Sequence, residues 1–376
     1  MIWSSTINVR VVVLLAACML SLTFVPVIAH GIQVSSPHHP PPALTPSVSP
    51  ITSGSLNHEE VSFGNGDLTL GGLYFVPKGR PPFPAVAFIR GSGPSTRDNY
   101  WTRAIVDVFI DSGVAVLLPD KRGSDASEGD WRTADFEDLA GDAVAAVEFL
   151  RSRPEVVGNR VGLAGLSQGG RIAPIAAAQS DAVAFLVNIV GAAAELKEQA
   201  SWEMYHTFRE AHVEGAALQE ALSLQVLAEG YVQGAVSWEK YDAARRAAMG
   251  GPGGEVARGF PSTPDAWQWD FFRRVMHTDP IPHWRKVTQP VLVIYGEDDH
   301  NAPVVTSVYR LIRVWQELDH PDATLRVIPG TGHGLWAPGA DAHRPALHPN
   351  VVAILRDWLM NKIVPARNEP AGTPSS

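Results

Sequence analysis

Val161-Gly162-Leu163-Ala164-Gly165-Leu166-Ser167-Gln168-Gly169-Gly170-Arg171 is the stretch on which the reading of this chain turns. Residues 161–164 form a short apolar run suited to a buried strand, and residues 171–179 continue with helical spacing. Between them stands a Gly-x-Ser-x-Gly element, framed by Gly165 and Gly169. A strand that turns sharply into a helix leaves no room for a Cβ beside the turn residue. Such a turn lifts the serine hydroxyl above the sheet, where the N-terminus of the following helix favours negative charge. A serine that only caps a helix needs neither glycine. Ser167 is therefore the candidate nucleophile.

A serine nucleophile needs a base, and the chain has thirteen histidines. His30, His38 and His39 lie near the N-terminus, and His206, His212, His277 and His283 lie in a helical stretch described below. His343 and His348 lack a glycine setting. His333 stands in Pro329-Gly330-Thr331-Gly332-His333-Gly334, just after the last expected strand, where a glycine-flanked loop brings an imidazole over the strand ends. The carboxylate that orients such a base is expected in Tyr295-Gly296-Glu297-Asp298-Asp299-His300. Glu297, Asp298 and Asp299 compete, with Asp299 the first choice. The loop Arg90-Gly91-Ser92-Gly93-Pro94 follows the third expected strand. An N–H of Ser92 or Gly91 there can pair with that of Gln168 to form an oxyanion hole.

Outward from these loops, strand-like and helix-like segments alternate. Residues 61–63 and 68–76, broken by Gly64-Asn65-Gly66, read as a hairpin. Further strands are expected at 85–89, 114–118, 161–164, 184–190, 291–295 and 324–328, and helices at 102–112, 136–150, 171–179 and 351–360. In the second helix Phe136, Leu139, Ala143, Val147 and Leu150 share one face, with Asp135, Glu137 and Asp138 at its N-terminal end. Repeated βα units imply an α/β fold with a mostly parallel sheet. Residues 195–286 break the rhythm. They read as helical and hold Trp202, Trp238, Trp267, Trp269 and Trp284, five of eleven tryptophans. A helical, aromatic insertion between strands is expected to cap a site at the strand ends. Trp267 and Trp269 are its candidate substrate-lining residues.

The chain has 376 residues, 45% hydrophobic and 18% charged, enough to build a full core. A net charge of −9 without a basic stripe gives no support for nucleic-acid binding. The single cysteine, Cys18, lies in an apolar N-terminal segment, so the folded region has no thiol for catalysis or metal binding. Residues 1–29 read as an export signal, with cleavage after Ala29, and the mature form is expected to have no stable membrane span. Leu15-Ala16-Ala17-Cys18 also resembles a bacterial lipobox, which would make Cys18 a lipidation site, and an uncleaved anchor is the third reading. Residues 30–57 form a Pro/Ser-rich linker, and 365–376 a disordered tail.

Over about residues 59–362 the chain resembles α/β-hydrolases of the serine esterase and serine aminopeptidase-like group. The motifs that carry the resemblance are Gly91-Ser92-Gly93-Pro94, Asp120-Lys121-Arg122-Gly123, Gly165 to Gly169, Gly296-Glu297-Asp298-Asp299 and Gly332-His333-Gly334. The resemblance implies one α/β-hydrolase domain over 58–364 with a helical cap. It also implies that the acid is the fourth residue of Gly-Glu-x-Asp, Asp299, and that Arg122 pairs with a nearby carboxylate. Arg90 departs from the histidine that many relatives carry there. The expected activity is hydrolysis of a small-molecule carboxylic ester through an acyl-enzyme, with no cofactor and no metal. A serine aminopeptidase is the alternative, needing a cap carboxylate such as Glu203, Glu210, Glu214 or Glu220 for a substrate amine. A thioesterase acting on coenzyme A esters fits poorly with export. A non-catalytic binding protein on this scaffold is expected to have lost one member of Ser167, Asp299 and His333, and all three are present.

Overall fold

The computed structural model describes residues 58–94, 97–340 and 346–364. The expected signal segment, Cys18, the 30–57 linker and the 365–376 tail lie outside the described residues. The chain opens with β1 (His58–Asn65) and β2 (Leu68–Phe75), an antiparallel hairpin. The expected break at Gly64-Asn65-Gly66 is instead a two-residue turn at Gly66-Asp67. Gly64 and Asn65 stay in the ladder opposite Thr69 and Leu68, because pairing satisfies their backbone groups, and only Gly66 takes a positive φ, +58°.

The βα units follow as β3 (Phe83–Ile89), α1 (Tyr100–Asp111), β4 (Ala115–Pro119), α2 (Phe136–Ser152), β5 (Val156–Leu166), α3 (Gln168–Gln179) and β6 (Leu186–Ile189). After an insertion come β7 (Val291–Gly296), α10 (Val304–Leu318), β8 (Ala323–Ile328) and α11 (Pro349–Lys362). The eight strands form one sheet in the order β1-β2-β4-β3-β5-β6-β7-β8. The hairpin joins antiparallel through β2 to β4, and the remaining pairs are parallel.

Period-two alternation divides the core. On β3, Ala85 and Ala87 face one layer, and Val86 and Phe88 the other; on β7, Val293 and Tyr295 oppose Leu292 and Ile294. The first layer holds the apolar faces of α2 and α3, and the second those of α1 and α11. α2 starts where Asp135 and Asp138 close a reciprocal capping box, and Leu139, Ala143, Val147 and Leu150 are all buried. The edge strand β1 exposes His58, Glu59 and Glu60, whose polarity discourages edge-to-edge pairing.

The insertion between β6 and β7 is helical among its described residues, as expected: α4 (Leu196–Glu210), α5 (Gly215–Val232), α6 (Trp238–Met249), α7 (Gly254–Gly259), α8 (Trp267–Val275) and α9 (Ile281–Trp284). Its helices pack on an aromatic cluster of Tyr231, Trp238, Tyr241 and Trp269. Arg171, buried in α3, ties this insertion to the sheet. It donates to the carbonyls of Ala194 at 2.6 Å and Thr278 at 3.2 Å, and to the Gln199 side chain at 2.7 Å. No described helix is long and apolar enough to cross a membrane.

Candidate active site

β5 ends at Leu166 and α3 begins at Gln168, so Ser167 is the whole of the turn. It sits at φ +54°, ψ −115°, a conformation that strains any residue with a Cβ and survives only where the surroundings hold it. Its N–H donates to the Ile189 carbonyl at 2.9 Å, and its carbonyl accepts from Gly170 N–H at 2.9 Å. A Cβ on Gly165 would fall on the Gly169 carbonyl, and one on Gly169 would fall on the Ile89 carbonyl. These close approaches are why both positions need glycine. Gly170 belongs to the same knot, since a Cβ there would meet the Asn188 side chain and Gly191.

The structure brings His333 to Ser167 and Asp299 to His333. His333 Nε2 lies 2.8 Å from Ser167 Oγ, and His333 Nδ1 lies 2.8 Å from Asp299 Oδ2. With its proton on Nδ1 the imidazole donates to Asp299 and accepts from the serine hydroxyl. Asp299 is buried, and its other oxygen accepts the N–H groups of Asn301 and Ala302, both at 2.8 Å. Its competitors stay outside. Glu297 and Asp298 are exposed, and Glu297 accepts the Gly330 N–H at 3.1 Å. Burial by itself would lower the His333 pKa. The charge and hydrogen bond of Asp299, with a further contribution from Glu203, outweigh it and raise the value above the ordinary 6.5.

The loop after β3 lies against the nucleophile, as expected. A Cβ on Gly91 would sit 3.4 Å from Ser167 Cβ. Arg90, the departure at this position, is buried and its guanidinium turns to Asp120, 3.8 Å away. Asp120 also holds Arg97 at 2.6 Å. Arg122 pairs with Asp142 at 2.7 Å, the carboxylate partner the resemblance implies.

The insertion meets this site mainly through α4. Gln199, Trp202, Glu203, His206 and Glu210 lie along one side of α4, and each contacts the segment 299–301. Gln199 Nε2 donates to the Asn301 carbonyl at 3.1 Å, and Trp202 Nε1 to the Asp299 carbonyl at 3.2 Å. Asn301 Nδ2 donates to Glu203 at 2.8 Å; His206 stacks on His300 at 4.2 Å; Glu210 pairs with His300 at 2.5 Å. The other cap carboxylates point elsewhere: Glu220 accepts the Gly253 N–H, and Glu214 is exposed.

Of the two candidate tryptophans, Trp269 comes out differently from expectation. Trp269 is enclosed by Tyr231, Trp238 and Tyr241 and fully buried, with its N–H on the Thr263 carbonyl at 2.9 Å. It is a core residue of the insertion, because three aromatic rings offer it more apolar contact than a wet cleft. Trp267 is half-buried and stands edge-on to Trp131, 5.4 Å away, which in turn lies near Lys121. Trp101 from α1 stands edge-on to the His333 ring at 5.4 Å and is backed by Trp336. Sequence reasoning missed both, since neither belongs to a local motif. No group of three or more described His, Cys, Asp or Glu side chains is arranged to hold a metal ion.

Comparisons with known proteins bear on the family and the fold. The family described as X-Pro dipeptidyl-peptidase (S15 family) matches residues 70–334, a span that includes Ser167, Asp299 and His333. Esterase EstD of Thermotoga maritima is 35% identical over 130 residues, covering 32% of this chain; the matched stretch spans 31% of that esterase. Among solved structures, the Pyrococcus furiosus esterase Pf2001 has a TM-score of 0.54 at 15% identity, covering 82% of this chain and 92% of its own. The Pyrococcus horikoshii acylaminoacyl peptidase has a TM-score of 0.52 at 17% identity, covering 83% of this chain and 43% of its own. These two likenesses are of fold. The family match, by contrast, runs through most of the sheet and every loop of the site: the chain belongs to the X-Pro dipeptidyl-peptidase (S15) family and is an α/β-hydrolase of the serine hydrolase kind.

Proposed function

We propose that this chain is an exported serine hydrolase that cleaves small carboxylic esters through an acyl-enzyme on Ser167. The observation that carries this reading is the unbroken chain of 2.8 Å contacts from Ser167 through His333 to Asp299. Ser167 Oγ attacks the acyl carbonyl while His333 Nε2 takes its proton. The N–H groups of Gln168 and Ser92 hold the oxyanion, and Asp299 keeps the imidazole in the right tautomer and offsets its charge. The intermediate collapses as His333 returns the proton to the leaving alcohol. Water then repeats the sequence on the acyl-enzyme, giving the free acid and restoring Ser167. The helical insertion acts as a lid over these residues and selects the acyl group. Export rests on the N-terminal signal in the sequence.

A peptidase is the second reading, favoured by one residue. Glu203 is the one cap carboxylate of the four considered whose charge acts on His333, and it is buried. A buried carboxylate whose charge reaches the base suits a substrate's terminal ammonium, and the family's description names a dipeptidyl-peptidase.

A fluorophosphonate label should land on Ser167. Ser167→Ala and His333→Ala should each lower kcat by about 10⁴-fold or more, with the double variant little worse than either. Comparing p-nitrophenyl esters with aminoacyl-nitroanilides then separates the two readings. Near-normal turnover by pure His333→Ala would overturn both.

A further inference from the structure

Lys121 follows Asp120 at the end of β4, and its ammonium is turned inward onto three acceptors. Nζ lies 2.6 Å from the Gly91 carbonyl, 2.9 Å from the Gly93 carbonyl and 3.0 Å from Gln168 Oε1. Two of these belong to the loop after β3 and the third to the residue after Ser167. An ammonium has three protons, and here each has an acceptor.

Among the described residues, the loop it holds is glycine-rich and packs against Ser167. Gly91 and Gly93 flank Ser92, Gly93 takes a φ of +78°, and Gly93 is followed by a proline with no N–H to give. In a planar trans peptide the carbonyl and the N–H point in opposite directions. With the Gly91 carbonyl drawn onto Lys121, the N–H of the same unit, that of Ser92, is directed away from Lys121. A rotation of that unit would exchange an N–H for a carbonyl oxygen, which repels an oxyanion instead of holding it.

We propose that Lys121 is a positioning residue for the oxyanion hole: by binding the carbonyls of Gly91 and Gly93 together with the Gln168 side chain, it sets the direction of the Ser92 N–H. The inference rests on the acyl-enzyme reading above. The ammonium also polarises the peptide it binds, making the N–H on the far side a stronger donor.

The surroundings argue against a purely structural cation. Burial, then the neighbouring Arg90, push the Lys121 pKa down to about 7. The carboxylates nearby are committed elsewhere, Asp120 to Arg97 and Asp142 to Arg122. Trp131 adds an aromatic ring 6.0 Å away. A lysine whose pKa burial moves toward neutrality beside a nucleophile turn fits a functional site.

Lys121→Met keeps the length of the side chain and removes all three donors. Its kcat should fall by about 10²- to 10³-fold with KM within about threefold of the parent, the pattern for a lost oxyanion-hole interaction. Inhibition by benzeneboronic acid, which forms a tetrahedral adduct on the serine, should weaken in the same proportion. The melting temperature reads a separate balance, the loss of a buried charge against three acceptors left without their donor, and the kcat loss should exceed whatever it shows. Lys121→Gln serves if the methionine variant does not fold, with the same expected loss. A kcat within threefold of the parent in either folded variant overturns the inference, as does a loss confined to KM. Ser167→Ala separates the two failures. An inert Ser167→Ala beside a fully active Lys121→Met sinks only the role of Lys121, whereas an active Ser167→Ala sinks the acyl-enzyme reading itself.

Discussion

Around Ser167 the chain is held by backbone, and around Asp299 it is held also by side chains from the insertion. The serine turn is locked by the Ile189 and Gly170 hydrogen bonds and by glycines pressed against neighbouring carbonyls, all on central strands and α3. The acid loop has its own N–H bonds to Asp299, and beyond them five α4 residues gripping 299–301. Close-packed backbone leaves one arrangement, while a helix face latched through long polar side chains can release and reseat. One end of the Ser167–His333–Asp299 array is thus set by the central strands and α3, which the insertion meets through Arg171. The other is shared with the insertion, whose α4 contacts the acid loop directly.

The largest test of this contrast is at the acid. Asp299→Asn should lower kcat by about 10⁴-fold with little change in stability, because an amide presents the wrong partner to His333 Nδ1 and favours the other tautomer. A steady-state assay on a p-nitrophenyl ester reads the loss, and circular dichroism checks the fold. If Asp298→Asn is the crippled variant instead, the acid has moved by one residue and the 299–301 grip loses its meaning.

A smaller effect should divide two tryptophans of the same insertion. Trp269→Ala removes a fully buried ring and should cost about 3–5 kcal/mol of stability, leaving the ranking of acyl chains unchanged in the folded protein. Trp202→Ala removes the indole bonded to the Asp299 carbonyl. It should lower kcat by about tenfold through a shifted acid loop while costing less stability, since Trp202 is only half-buried. Denaturant melts and kcat measured on both variants should give opposite orders; identical orders would mean that α4 does not bear on the acid.

What the sequence disclosed follows the same division. The serine turn was legible because its causes are local: two glycines and a serine within five residues. α2 was legible for the same reason, its capping box and apolar face lying within one helical stretch. The insertion was legible as helical and aromatic, but not as to which ring faces which way. Trp269 and Trp202 are chemically alike, and only the packing of α4 to α8 separates core from contact. Lys121, Trp101 and Trp336 reach the site from segments far apart in the chain, and no spacing rule connects them. The Asp120-Lys121-Arg122-Gly123 motif was the one available signal for Lys121. The hairpin turn was misplaced because Gly64-Asn65-Gly66 carries turn chemistry at each position, and the ladder decided which residues turned.

The finest test uses the pH profile, through Glu203. His333 must be neutral to take the serine proton, so kcat/KM should rise with pH through its raised pKa. Protonated His333 is also favoured by the fold: its contribution to stability is full below the ordinary value of 6.5 and is lost as pH rises through the raised one. Glu203 is one source of that elevation, its carboxylate stabilising the imidazolium. Glu203→Gln keeps an acceptor for Asn301 and removes the charge, so the imidazolium is less favoured and the acidic limb should move to lower pH. Maximal kcat on neutral esters should stay within about threefold. An unmoved limb would mean that the cap's charge does not reach the base. The same variant bears on the substrate. If Glu203 binds a terminal ammonium, hydrolysis of aminoacyl-nitroanilides should collapse through KM while ester hydrolysis persists, and equal retention of both would leave the ester reading alone.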